Sequence, residues 1–135
     1  MPENDLSVLL NAMHPQLHSA DFVFCSVSEF ELEQMRLKPL CLFRENEGVT
    51  LVLEKSAADN YSLKYAGYWS LITCTINSDL AAVGFLAAMS TALAAEGIAV
   101  NAVSAYFHDH LFVPKEKAVQ AMKILQDLSK PQSHC

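Results

Sequence analysis

Trp69-Ser-Leu-Ile-Thr-Cys-Thr-Ile-Asn-Ser-Asp-Leu-Ala-Ala-Val-Gly84 is the stretch on which the fold turns, because its apolar spacing changes partway along. From Trp69 to Ile76 the residues alternate. Ile72, Cys74 and Ile76 share one face of a strand, and Trp69, Leu71, Thr73 and Thr75 the other. Asn77 or Ser78 then suits an N-cap and Asp79 the positive end of a helix dipole, so a long helix is expected from there to Gly97. Ala82, Leu86, Met89 and Leu93 form its bulky stripe. Ala81, Gly84, Ala88, Ala92 and Ala95 form a small-residue stripe that lets a sheet or a second helix approach. With Gly97 as the left-handed residue past the end, Ile98 falls where it touches Leu93, the contact of a Schellman ending.

Downstream, Ile98 to Phe107 reads as a strand, His108-Asp109 as a tight turn and His110 to Val113 as the returning strand. Pro114 suits the first position of a helix running to about Leu128, with Ala118, Met122, Leu125 and Leu128 buried. A tail over 131–135 is expected to be disordered. Strand, helix, strand, strand, helix lacks only one strand of the ferredoxin-like order. The expected class is α+β, with ferredoxin-like βαββαβ units, antiparallel sheets and helices on one face.

Upstream, Leu6, Leu9, Leu10 and Met13 have helical spacing up to Pro15, and Asp21 to Val27 reads as a strand. Ser28 with Glu31 has capping-box spacing. Leu40 to Arg44 and Val49 to Leu53 form a hairpin around Glu45-Asn46-Glu47-Gly48, where Gly can take the positive φ of a turn. Ser56 can cap a short helix over Ala57 to Leu63. Phe43 to Lys55 and Tyr106 to Glu116 echo one another as strand, acidic turn, strand and helix. Two related units follow, at 1–66 and 67–130. Each lacks a strand of its own, so the halves should complete one another or do so across a homodimer.

Composition narrows the partners. The chain has 135 residues, of which 52% are hydrophobic, and a formal net charge of -6. That charge repels phosphate backbones and anionic lipid, so neither nucleic acid nor membrane is expected as a partner. The apolar run from Leu80 to Ala95 is too short to span a bilayer and is interrupted by Gly84, Ser90 and Thr91. Met-Pro-Glu-Asn-Asp lacks the basic and apolar regions of a signal peptide. Cys25, Cys41, Cys74 and Cys135 show no C-x-x-C spacing and read as free thiols of a reducing, cytoplasmic compartment.

The run from Trp69 to Gly84, followed by Gly97-Ile-Ala-Val-Asn101 and Ser104-Ala-Tyr-Phe-His-Asp-His-Leu-Phe-Val-Pro114, resembles the tandem ACT-like family of small bacterial proteins. It is more distantly similar to the regulatory ACT domains of aspartate kinases and eukaryotic arginine sensors. Cys41-Leu-Phe-Arg-Glu-Asn-Glu-Gly-Val-Thr-Leu-Val52 matches the same family, so the resemblance covers roughly Leu6 to Leu128. It implies paired ACT units with an amino-acid effector at the unit interface, and a regulatory role without catalysis or cofactor. It places the effector at Asn77, Ser78, Asp79, Leu80, Val83, Gly84, Asn101, Ser104 and Asp109. A helix start there offers unpaired N–H groups to a carboxylate, and Asp109 a charge to an amino group.

Each residue has a plainer reading. Asn77, Ser78 and Asp79 cap helices, Gly84 eases packing, Asn101 suits a strand edge and Asp109 a turn. The rival class is a small enzyme or metal protein built on His108, Asp109 and His110. A lone H-x-H lacks the remaining ligands of a structural metal site, and no G-x-S-x-G or phosphate-loop motif is present. No metal is expected.

Overall fold

The computed structural model describes residues 5–75 and 83–130, and two compact units emerge: Ser19–Trp69, and residues 1–18 together with 70–135. The second is called the C-terminal unit below. The order of elements is α1 (Leu6–Ala12), β1 (Pro15–Val27), α2 (Glu29–Gln34), β2 (Cys41–Arg44), β3 (Val49–Glu54), α3 (Lys55–Asn60), β4 (Trp69–Cys74), α4 (Phe85–Ala95), β5 (Asn101–Ser104), β6 (Asp109–Pro114) and α5 (Ala118–Ser129).

In the Ser19–Trp69 unit the strands lie in the order β2-β3-β1, both pairs antiparallel, with Cys25 opposite Leu51 and Leu42 opposite the same Leu51. Val23, Cys25, Val27, Val49, Leu51, Leu53 and Ala58 form its buried core. The capping box is present: Ser28 Oγ accepts from the Glu31 N–H at 3.0 Å, and the Glu31 carboxylate accepts from the Ser28 N–H at 3.0 Å. Gly48 is needed for space as well as for its backbone angle, since a Cβ there would stand 2.8 Å from Ser26 Oγ. Ser56 does not cap the short helix. It begins at Lys55 behind Glu54, which makes no side-chain cap bond.

In the C-terminal unit the strand order is β1-β4-β6-β5, so the Pro15–His18 end of β1 supplies the flanking strand that the sequence pattern lacked. Strand β1 therefore begins at Pro15, well before Asp21, because Thr75 donates both its N–H and its hydroxyl to the His14 carbonyl. Leu9 of α1 and Met13 just past its end bury with Ile72, Cys74, Phe85, Met89, Leu93, Leu111, Val113 and Leu125 in one core. This shared core is why residues 1–18 pack with the second half of the chain.

The long helix starts later than its sequence pattern indicates. Gly84 takes φ 92° and ψ −11°, left-handed values that interrupt an α-helix, and α4 runs from Phe85. Its end matches expectation: Ile98 N–H donates to the Leu93 carbonyl at 3.1 Å and Gly97 N–H to the Ala94 carbonyl at 3.0 Å, the two bonds of a Schellman motif. The β5–β6 turn is also displaced. It spans 105–108, closed by Ala105 N–H donating to the His108 carbonyl at 3.0 Å, so His108 belongs to the turn and Asp109 to the strand. The anticipated internal echo is real. Arg44 pairs with Val49 and Cys41 with Val52, just as Ser104 pairs with Asp109 and Asn101 with Phe112. Among the described residues no helix is long and apolar enough to cross a membrane.

Candidate functional site

The expected effector residues fall into three groups. Asn77, Ser78, Asp79 and Leu80 lie outside the described residues. Val83 and Gly84 stand just before α4, Val83 with 85% of its surface exposed. Asn101 and Ser104 sit on β5 and Asp109 on β6, and here the structure makes one direct connection. Ser104 Oγ donates to Asp109 Oδ1 at 2.5 Å across a strand pair whose register sets the two residues opposite each other.

Asp109 is 6% exposed, the single buried acid among the described residues. Burying a carboxylate is costly unless it is hydrogen-bonded. The Ser104 hydroxyl supplies one such bond, and Asp109 makes a further interaction. Its charge is felt by the next strand. Burial, and then the Asp109 charge, push the Cys74 thiol up to about 12, so this cysteine stays protonated and unreactive. Asn101 is exposed on β5 opposite Phe112 and has no bond to Asp109 or Ser104. The structure thus joins Ser104 and Asp109 and leaves Asn101 further along the same strand.

The His108/Asp109/His110 turn does not close on itself. The rings of His108 and His110 are 6.4 Å apart between centroids. Instead His110 Nδ1 lies 2.9 Å from Thr73 Oγ1, which lies 2.8 Å from His18 Nε2. No local pattern in the sequence places His18 against Thr73, 55 residues away. The available signal was that Thr73 is a polar residue on the strand face opposite Ile72 and Cys74. Among the described residues no group of three or more His, Cys, Asp or Glu is arranged to hold a metal.

The Ser19–Trp69 unit has its own cleft, of about 310 Å³, lined by Ala20, Asp21, Glu54, Lys55, Ser56 and Asp59. Its charges are largely spoken for. Lys55 donates to Asp59 at 2.9 Å, Tyr65 donates to the same carboxylate at 2.6 Å, and Lys55 stands 5.5 Å over the Tyr68 ring. The Tyr65 hydrogen bond first, and the Lys55 bond second, hold the Asp59 carboxyl below its ordinary value.

Two ACT-domain family models match the chain, over residues 1–70 and 69–127. A solved protein of unknown function from Vibrio cholerae, described as a possible transport protein, is 44% identical, with 93% of this chain and 96% of that one covered at a TM-score of 0.84. The regulatory subunit of Thermus thermophilus aspartate kinase is 9% identical, covering 88% and 99%, with a TM-score of 0.59. Clostridium acetobutylicum aspartate kinase is 12% identical, covering 87% of this chain and 34% of that one, with a TM-score of 0.68. The two kinase similarities are of fold alone. No curated protein matches the sequence.

Proposed function

The chain belongs to the ACT-domain family, and from that premise we propose that it is a regulatory protein without catalytic activity that binds a free amino acid. ACT domains are typically regulatory ligand-binding modules, which supports the coarser half of that statement. The observation that carries the finer half is the buried Asp109 carboxylate, anchored by Ser104. A buried acid with capacity for further hydrogen bonds suits an α-ammonium group. In this reading the effector's amino end meets Asp109, Ser104 and Asn101, and its carboxylate meets Asn77, Ser78, Asp79 and Leu80 with Val83 and Gly84. The ACT-like halves of the sequence are 1–66 and 67–130, and the working form is a homodimer.

Thermal-shift screening against the free amino acids comes first, because a ligand that binds only the native state raises the melting temperature. Calorimetric titration then compares the wild type with Asp109→Asn and Ser104→Ala. Loss of the carboxylate should weaken binding by about 10- to 100-fold, and loss of the hydroxyl by less, in line with charge-assisted and neutral hydrogen bonds. Equal affinity in all three proteins removes Asp109 from the site. Absence of any amino-acid shift in the wild type refutes the reading.

A further inference from the structure

The C-terminal unit carries a polar cluster on the sheet face turned away from its helices. Ile72 and Cys74 of β4 and Leu111 and Val113 of β6 all enter the helix-side core, so strand alternation sends Thr73 and His110 to the other face. There a single hydroxyl joins three strands. Thr73 Oγ1 on β4 lies 2.8 Å from His18 Nε2 on β1 and 2.9 Å from His110 Nδ1 on β6. Thr73 is buried, His110 half-buried and His18 exposed, so both rings have some access to solvent while the hydroxyl between them has little.

A hydroxyl has one proton to donate and two lone pairs. With both imidazoles neutral, one ring donates to Thr73 and Thr73 donates to the other. A first added proton preserves this chain, since the imidazolium donates to Thr73 in a charge-assisted bond and Thr73 still donates onward. A second proton removes the last accepting nitrogen. Both rings must then donate into the same oxygen, and two cations face each other across one atom.

We propose that His18, Thr73 and His110 form a one-proton clasp that holds the Pro15–His18 end of β1 against β4 and opens in acid when a second proton binds. The surrounding charges are mixed, with the cationic neighbours acting in the same sense and one acid against it. His108, with its ring 6.4 Å from that of His110, adds a like charge when protonated, and Asp109 is the opposing negative group. Strand β5 presents the uncharged Val103 opposite His110. Burial first, then the charges of His108 and His18, hold the His110 imidazole below its ordinary value. This inference goes beyond the effector reading and does not depend on it.

Histidine-ring NMR titration and amide exchange of the intact protein test it. Between about pH 8 and pH 5, the His110 ring should take up its proton below the usual histidine range. Protection of the Thr75 amide, which donates to the His14 carbonyl, should fall by about tenfold after correction for intrinsic exchange. The β5–β6 amides should stay protected over the same range. In Thr73→Val the His110 protonation should shift, because the hydroxyl bonded to its ring is gone, and in His110→Gln the Thr75 amide should keep its protection at pH 5. The proposal is overturned if His110 takes up its proton identically in wild type and Thr73→Val. It is equally overturned if Thr75 loses no protection, loses it together with β5–β6, or loses it unchanged in His110→Gln.

Discussion

Replacing Gly97 by alanine isolates a backbone cost at the end of α4. Glu96 closes the helix at φ −101°, Gly97 follows at φ 72°, and Ile98 returns its N–H to the Leu93 carbonyl. A Cβ built on Gly97 meets nothing within 4 Å, so the added methyl group clashes with no neighbour. What it meets is the left-handed conformation, which costs an L-residue about 1–2 kcal/mol. Alanine also restricts the unfolded chain, an effect of about 0.4–1 kcal/mol in the opposite direction. The expected net loss is about 1 kcal/mol, or a fall of about 3–5 °C in melting temperature for a chain of this size. Urea unfolding followed by circular dichroism should show a lower midpoint with an unchanged slope. Ile98→Ala, which empties a 2% exposed position in the core, should lose about 2–4 kcal/mol in the same assay. A Gly97→Ala midpoint equal to or above that of the wild type would refute the reasoning, because the alanine would then show no net left-handed cost at this position.

Three further outcomes are expected. Ser28→Ala removes half of the capping box at α2 and should lower stability by about 1 kcal/mol in urea unfolding, whereas Ser28→Asp should retain most of it. Cys74, buried and with its thiol pushed up to about 12, should resist thiol reagents at pH 8 in the native protein while the half-buried Cys41 reacts, as read by mass spectrometry after timed quenching. His110 is held below the ordinary histidine value by burial, so the folded protein takes up that proton less readily than the unfolded chain. Its contribution to stability is complete above about pH 6.5 and is lost as pH falls through the lowered folded value, and His110→Gln should flatten the stability profile there.

Periodicity was enough to locate most elements. The alternation from Trp69 to Cys74, the helical stripes ending at Leu93 and the paired strands around Gly48 are local patterns, and local sterics and burial enforce them. The Schellman ending at Gly97 and the capping box at Ser28 were legible for the same reason, since each is completed within about six residues of chain. The repeat of strand, turn, strand and helix also lies in the sequence itself, and the matched registers of β2–β3 and β5–β6 reflect it.

Long-range partners were not legible. Pro15 to His18 carries no clear alternation and becomes strand because its neighbours in the C-terminal unit accept it at β4. The start of α4 moved to Phe85 because Gly84 adopted a left-handed angle that its neighbours in sequence do not announce. Asp109 looked like a turn residue and is instead a buried strand carboxylate, since the turn closes at His108 and the register sets Ser104 opposite it. The sequence by itself therefore determined the order and type of most segments and that they repeat, because those depend on neighbours along the chain. Only the tertiary structure decided that Ser104 holds Asp109 and that Thr73 joins His18 to His110, because hydrogen bonds between paired strands depend on register and face, which periodicity does not encode.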